Sequence, residues 1–145
     1  MSWLRAVCVG LLGVSLAGLG GCGGSVTGTW ELDKDKTITQ AEKSLEKEMK
    51  DAGPARDLAS TMLKKSIESS TITLTLRADN TFKADGTFGP TPLSIEGKWK
   101  KVKDVYELTP DDLGSVMNLR QQGGGLILEA SGGSSRGPAM YLKRK

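Results

Sequence analysis

Two cysteines and no histidine decide which chemistries this chain can carry. Without histidine there is no Ser-His-Asp or Cys-His arrangement. The usual general acid/base near neutral pH and the commonest metal ligand are missing too. Cys8 lies inside an apolar run, Ala6 to Leu19, and Cys22 lies where that run gives way to small residues. Two sulfurs so placed do not make a zinc set. Paired carboxylates remain, as Asp33-Lys34-Asp35 and Asp111-Asp112. The first falls at a strand end and the second before a glycine turn, which are settings of solvated loop acids. Neither "DKD" nor "ADGTFG" completes a calcium loop. The glycine clusters at Gly123 and Gly132 lack the G-x-x-x-x-G-K-[ST] spacing of a phosphate loop. The expectation is a non-enzymatic protein with no catalytic residue, no metal and no cofactor.

Cys22 has a different chemistry open to it. Arg5 is the one charged side chain before Glu31. The apolar run behind it is short and glycine-rich for a spanning helix, which needs about 20 apolar residues. It fits the apolar region of a signal peptide, roughly 7 to 15 residues behind a positive start. The run ends in Leu19-Gly20-Gly21-Cys22. This resembles the lipobox of bacterial lipoproteins: a branched apolar residue, two small residues, then the cysteine that is lipidated and becomes the first residue. The resemblance implies a signal peptide at 1–21, a lipidated Cys22 with a tether at 22–25, and a domain at 26–145. It also implies a membrane partner, reached through acyl chains on Cys22, and more than one chain is needed for a stable anchor. The location implied is the cell envelope. With Gly23 rather than Asp after the cysteine, it is the outer membrane facing the periplasm where the cell has one. The alternative is a chance cysteine in an ordinary signal peptide or an uncleaved anchor. On the lipobox reading 124 of the 145 residues remain, enough for one core. Cys8 is then lost and Cys22 capped, so no disulfide holds the domain.

Charge adds little. Loss of Arg5 would leave 19 basic residues against 17 acidic. The clusters "KKVK" at 100–103 and "LKRK" at the C-terminus read as solvated faces. With three Trp, two Tyr and two Phe there is no aromatic platform for nucleic acid. Val26 to Leu32 reads as a strand. Thr39-Gln40-Ala41-Glu42 has the capping-box pattern and opens a helical insertion over about 37–69. Its apolar stripe runs through Leu45, Met49, Leu58, Met62 and Ile67, and Gly53-Pro54 breaks it in two. At residue 70 the period becomes two: Ile72, Leu74 and Leu76 face one way and threonines the other. Turns follow at Asp79-Asn80, Gly89-Pro90, Lys103-Asp104 and Gly123-Gly124-Gly125. About eight short strands with tight connections predict an antiparallel up-and-down sheet, and closing it into a barrel removes the exposed edges.

"VTGTWELD", "TLRADNTFKADGTF" and "IEGKWKKVKDVYELT" resemble the lipocalin-like small barrels of bacterial lipoproteins. Those carry an early G-x-W, a "DGTF"-like hairpin and a later G-x-W with Y-x-L. The resemblance implies a mainly β, lipocalin-like barrel with a helical insertion after the first strand. This chain is shorter than a typical lipocalin and lacks its disulfides. The inward set is Ile72, Leu74, Leu76, Phe82, Phe88, Ile95, Trp99, Leu126 and Leu128. It is first a core, and a pocket only if the barrel is wider than its side chains fill. Trp30 and Trp99 are read first as buried core residues and second as pocket walls. The pocket lining is then Trp30, Leu74, Phe82, Phe88, Trp99 and Leu128, with a small apolar ligand. The alternative is a filled barrel whose partner is another envelope protein. One outcome follows from Cys22 directly: a radioactive fatty acid fed to cells labels the wild-type chain and not Cys22→Ser. Label retained by the serine variant would contradict the anchor.

Overall fold

The computed structural model describes residues 25–131 and 138–145. The signal segment and Cys22 lie outside them. Eight strands form one closed antiparallel barrel in chain order: β1 (Gly28–Leu32), β2 (Thr71–Leu76), β3 (Thr81–Phe88), β4 (Thr91–Val102), β5 (Val105–Pro110), β6 (Val116–Gln122), β7 (Gly125–Ser131) and β8 (Met140–Arg144). Two helices, α1 (Lys34–Glu48) and α2 (Pro54–Ser69), interrupt the meander between β1 and β2. β1 closes the ring by pairing with β8, Trp30 opposite Arg144 and Leu32 opposite Leu142. The mainly β, up-and-down barrel with a helical insertion after the first strand is what the sequence pattern predicts.

The turns are built from the residues that punctuate the sequence. Asn80 and Lys103 adopt positive φ, and Gly123 and Gly124 do so together. At the β2–β3 turn the Asp79 carboxylate accepts from the Thr81 hydroxyl at 2.6 Å and the Thr81 N–H at 3.0 Å. These bonds, the hydroxyl first, hold its carboxyl below the usual range. Both G-x-W glycines are needed for close approach. A Cβ on Gly97 would sit 2.2 Å from the Thr109 carbonyl and 2.9 Å from the Phe82 ring. A Cβ on Gly28, where φ is +132°, would crowd the Arg144 guanidinium at 3.1 Å.

Register puts one set of side chains inside. Trp30 pairs with Leu74, Leu74 with Ala84 and Ala84 with Ile95. Trp99 pairs with Leu108, and Leu108 with Met117. Leu74, Leu76, Phe82, Leu108, Leu119, Leu126 and Leu142 are almost wholly buried. Each such side chain contributes about 1.5–3 kcal/mol by leaving water. Trp30 is 4 % exposed, as expected of a core residue. Trp99 departs from that expectation. It is half-buried, because it lies near the barrel's end, where its indole N–H reaches the Arg77 carbonyl at 3.1 Å. Its ring meets Tyr106 edge-on at 5.8 Å.

The helices also correct the sequence reading. α1 starts at Lys34, and its cap is Asp33, whose carboxylate accepts from the Lys36 N–H at 3.2 Å. Thr39 instead donates to the Asp35 carbonyl one turn back at 2.8 Å. The strand decides this. β1 pairing runs through the Asp33 N–H to Tyr141 O bond at 2.8 Å, and the helix begins at once. α2 opens with Pro54 in its first turn after Gly53, as expected. Its inner face is Leu63 and Ile67, so Leu58 and Met62 point outward, 59 % and 62 % exposed.

The two buried polar residues among those described, Thr37 and Ser70, clamp the helices to the barrel rim. Thr37 Oγ1 accepts from the Tyr141 N–H at 3.0 Å. Ser70 Oγ accepts from the Gly89 N–H at 3.0 Å and donates to the Ser66 carbonyl at 2.6 Å. Ser70→Ala strands the Gly89 N–H, so chemical denaturation is expected to show a loss of about 1–3 kcal/mol. Trp30→Ala is expected to cost about 3–5 kcal/mol in the same measurement. An unchanged midpoint for either would contradict the packing described.

Candidate functional site

The barrel has two unlike ends. At the closed end residues 25–27 fold over the opening. Val26 is buried there, and its carbonyl accepts from the Trp30 indole N–H at 2.9 Å. The Arg144 guanidinium lies 5.0 Å from the centre of the Trp30 ring and donates to the carbonyls of Ser25 and Thr27 at 2.9 and 2.6 Å. Cation, indole and backbone carbonyls seal this end together.

The helices sit at the other end, where β1 gives way to α1 and α2 to β2. α1 packs on β8 and α2 on β3. Ala41 and Ile67 are buried there, with Ile38 and Leu63 beside them. That covers the β8–β1–β2–β3 side of the mouth. The inward wall on the remaining strands is apolar and only half-buried, with Leu93 and Ile95 on β4, Met117 on β6 and Leu128 on β7, and it ends at Met140 on β8, at the edge of the covered side. Phe88 and Leu113 stand at the rim, 40 % and 47 % exposed.

The residues expected to line a pocket therefore divide. Trp30, Leu74 and Phe82 are packed in the interior, and Trp99 helps to close the sealed end. Leu128 belongs to the half-buried wall. Phe88 keeps the inward phase of β3 but lies on the strand's last residue, so it reaches the rim. Leu93, Met117 and Met140 join Leu128 on the wall without having been named as lining. Their strand alternation carried the signal, but which end of each strand opens depends on barrel closure.

Among the described residues no charged side chain projects inward at the mouth. Going around the wall, the inward positions are leucine, isoleucine, methionine, alanine, glycine and proline, with Phe88 and Thr91 at the rim. The acid pairs serve elsewhere. Asp33 caps α1 and Asp35 sits in its first turn. Asp111 and Asp112 are exposed in the β5–β6 connection. Among the described residues no cluster of His, Cys, Asp or Glu is arranged to hold a metal ion, and no helix is long and apolar enough to cross a membrane.

No protein-family model matches the chain, and no curated protein matches it. Among solved structures it is similar to a crystal structure of a point mutant of the fluorescent protein UnaG. The identity is 16 % and the TM-score 0.40, over 83 % of this chain and 96 % of that one. At this level the likeness adds nothing to what the strand pairing itself shows.

Fully buried and half-buried inward positions predict different responses to the same truncation. Leu119→Ala, at a fully buried site, is expected to lose about 2–5 kcal/mol, and Leu128→Ala, on the half-buried wall, clearly less. Paired denaturation curves check this. Equal losses would mean that Leu128 is as tightly packed as Leu119, its partner across β6 and β7.

Proposed function

We propose that this is a non-enzymatic lipoprotein of the cell envelope, anchored through Cys22, that binds a small, uncharged, apolar molecule in the mouth of its barrel. One observation carries the binding reading. The wall formed by Leu93, Ile95, Met117, Leu128 and Met140 faces inward yet is only half-buried, while the rest of the interior is closely packed. Apolar concave surface with adaptable methionines suits a hydrophobic guest. The class of guest follows from charge. Among the described residues the cations in the inward register, Arg144 and Lys101, both lie at the far end, Arg144 on Trp30 and two carbonyls and Lys101 over the Tyr106 ring. A buried carboxylate or phosphate would meet no counter-charge from the described residues at the mouth. The helical pair acts as a fixed cover, since Thr37 and Ser70 tie it to β8 and to the β3–β4 turn. The Lys34 ammonium adds a bond from α1 to the Glu68 carbonyl of α2 at 2.6 Å.

A specific observation favours a second reading. Leu58, Met62, Phe88 and Leu113 are exposed on the helix-bearing half, a pattern that would suit an envelope protein partner docking there. Dye binding separates the two. A neutral environment-sensitive apolar dye is expected to bind at least tenfold more tightly than an anionic dye of the same skeleton. In a folded variant with residues 34–69 replaced by a short Gly/Ser loop, the neutral dye is expected to bind faster and more weakly. Equal affinity for the two dyes would overturn the ligand class. Unchanged affinity and on-rate after the deletion would overturn the cover.

A further inference from the structure

We infer that the closed end of the barrel is a docking surface for anionic phospholipid headgroups, which turns the mouth away from the bilayer. The inference rests on the Cys22 anchor proposed above and goes beyond it by assigning a face and a lipid chemistry. Ser25 lies exposed at the closed end, held by Arg144. Three residue steps separate it from Cys22, so an extended tether spans at most about 11 Å. An acylated Cys22 would therefore hold the closed end within one or two screening lengths of the lipid surface, each about 8–10 Å at physiological salt.

The charge distribution fits that placement. On the barrel wall five basic side chains stand among five acidic ones and mostly pair: Lys83 with Asp85 and Glu96, Lys100 with Glu107, Arg120 with Glu129, and Lys143 with Glu31. At the closed end Arg77, Lys101, Lys103 and Lys145 are exposed, with Asp79 and Asp104 the acidic residues described there, and Arg144 adds its charge while bound to Ser25 and Thr27. Among the described residues the helix-bearing end inverts the balance, with ten acidic and eight basic residues over 33–69 and 111–112. Val102, 37 % exposed beside the β4–β5 turn, adds an apolar side chain to the basic end. Basic groups near an anionic surface attract it, and a short tether fixes which face does so.

The test uses the full acylated chain, extracted from membranes and reconstituted into vesicles. These are made of phosphatidylcholine alone or with about one third phosphatidylglycerol, a fraction chosen to give a strongly anionic surface. Lys103→Cys or Met62→Cys supplies the single thiol for an environment-sensitive dye, and lipid headgroups carry a spin-label quencher. In anionic vesicles the dye at position 103 is expected to be quenched several-fold more than the dye at 62. That difference is expected to shrink at high salt and with Arg77→Glu and Lys101→Glu introduced together. Chains that float with the vesicles but show equal quenching at both positions, or no dependence on anionic lipid, would overturn the docking surface and leave the anchor standing. Dye uptake by the unsubstituted chain together with failure to float would mean an unacylated Cys22, and the anchor would fall with the inference built on it.

Discussion

The pairing of the first strand with the last is the constraint from which the rest of this molecule follows. β1 is only five residues long, and it meets β2 on one side and β8 on the other. The bond from the Lys145 N–H to the Thr29 carbonyl at 3.1 Å extends that seam at one end, and Asp33 to Tyr141 extends it at the other. Closure leaves no strand edge to pair with another chain. It also fixes where every insertion goes. A chain leaving β1 at Leu32 must cross one end of the barrel to reach Thr71, so the helical pair lies at that end. Residues 25–27, which lead into β1, necessarily lie at the opposite one.

From that seam comes the difference between the two ends. Near Gly28 and Arg144 the chain has a tryptophan, an arginine and three residues of backbone to close the opening, and it uses all of them. At the helical end the cover is made by two short amphipathic helices. Helices of this length are marginal by themselves and depend on what they pack against. Here they pack against half of the rim. Two buried hydroxyls, Thr37 and Ser70, satisfy backbone N–H groups that the helices would otherwise leave buried without a partner. Among the described residues, the apolar wall from Leu93 to Met140 is what the helices leave uncovered.

Much of the fold was legible because it is written in local chemistry. The alternation of Ile72, Leu74 and Leu76 with threonines, the Asp79-Asn80 and Lys103-Asp104 turns and the Gly123-Gly124 pair each name their own conformation. So does the Gly53-Pro54 break between the helices. What could not be read depends on contacts between distant segments. Thr39 has the sequence pattern of the helix cap, and only the β1–β8 pairing gives that place to Asp33. Leu58 and Met62 belong to the same apolar stripe as Ile67, yet the angle at which α2 meets β3 leaves them in water. Phe88 has the correct phase for the interior but sits at the strand's last residue. The candidate site was half legible: the inward face was readable strand by strand, while the division into a packed end and an open end required the closed ring.

The central claim is that the interior is filled at the sealed end and receptive at the mouth. Xenon under pressure enters apolar space that has no occupant, so crystals of the domain pressurised with xenon test it most directly. Xenon is expected among Ile95, Leu128 and Met140, on the side of the mouth that the helices leave open, and none is expected around Leu76, Phe82 and Leu126 at the sealed end. Xenon absent from the mouth, or bound instead at the sealed end, would contradict it.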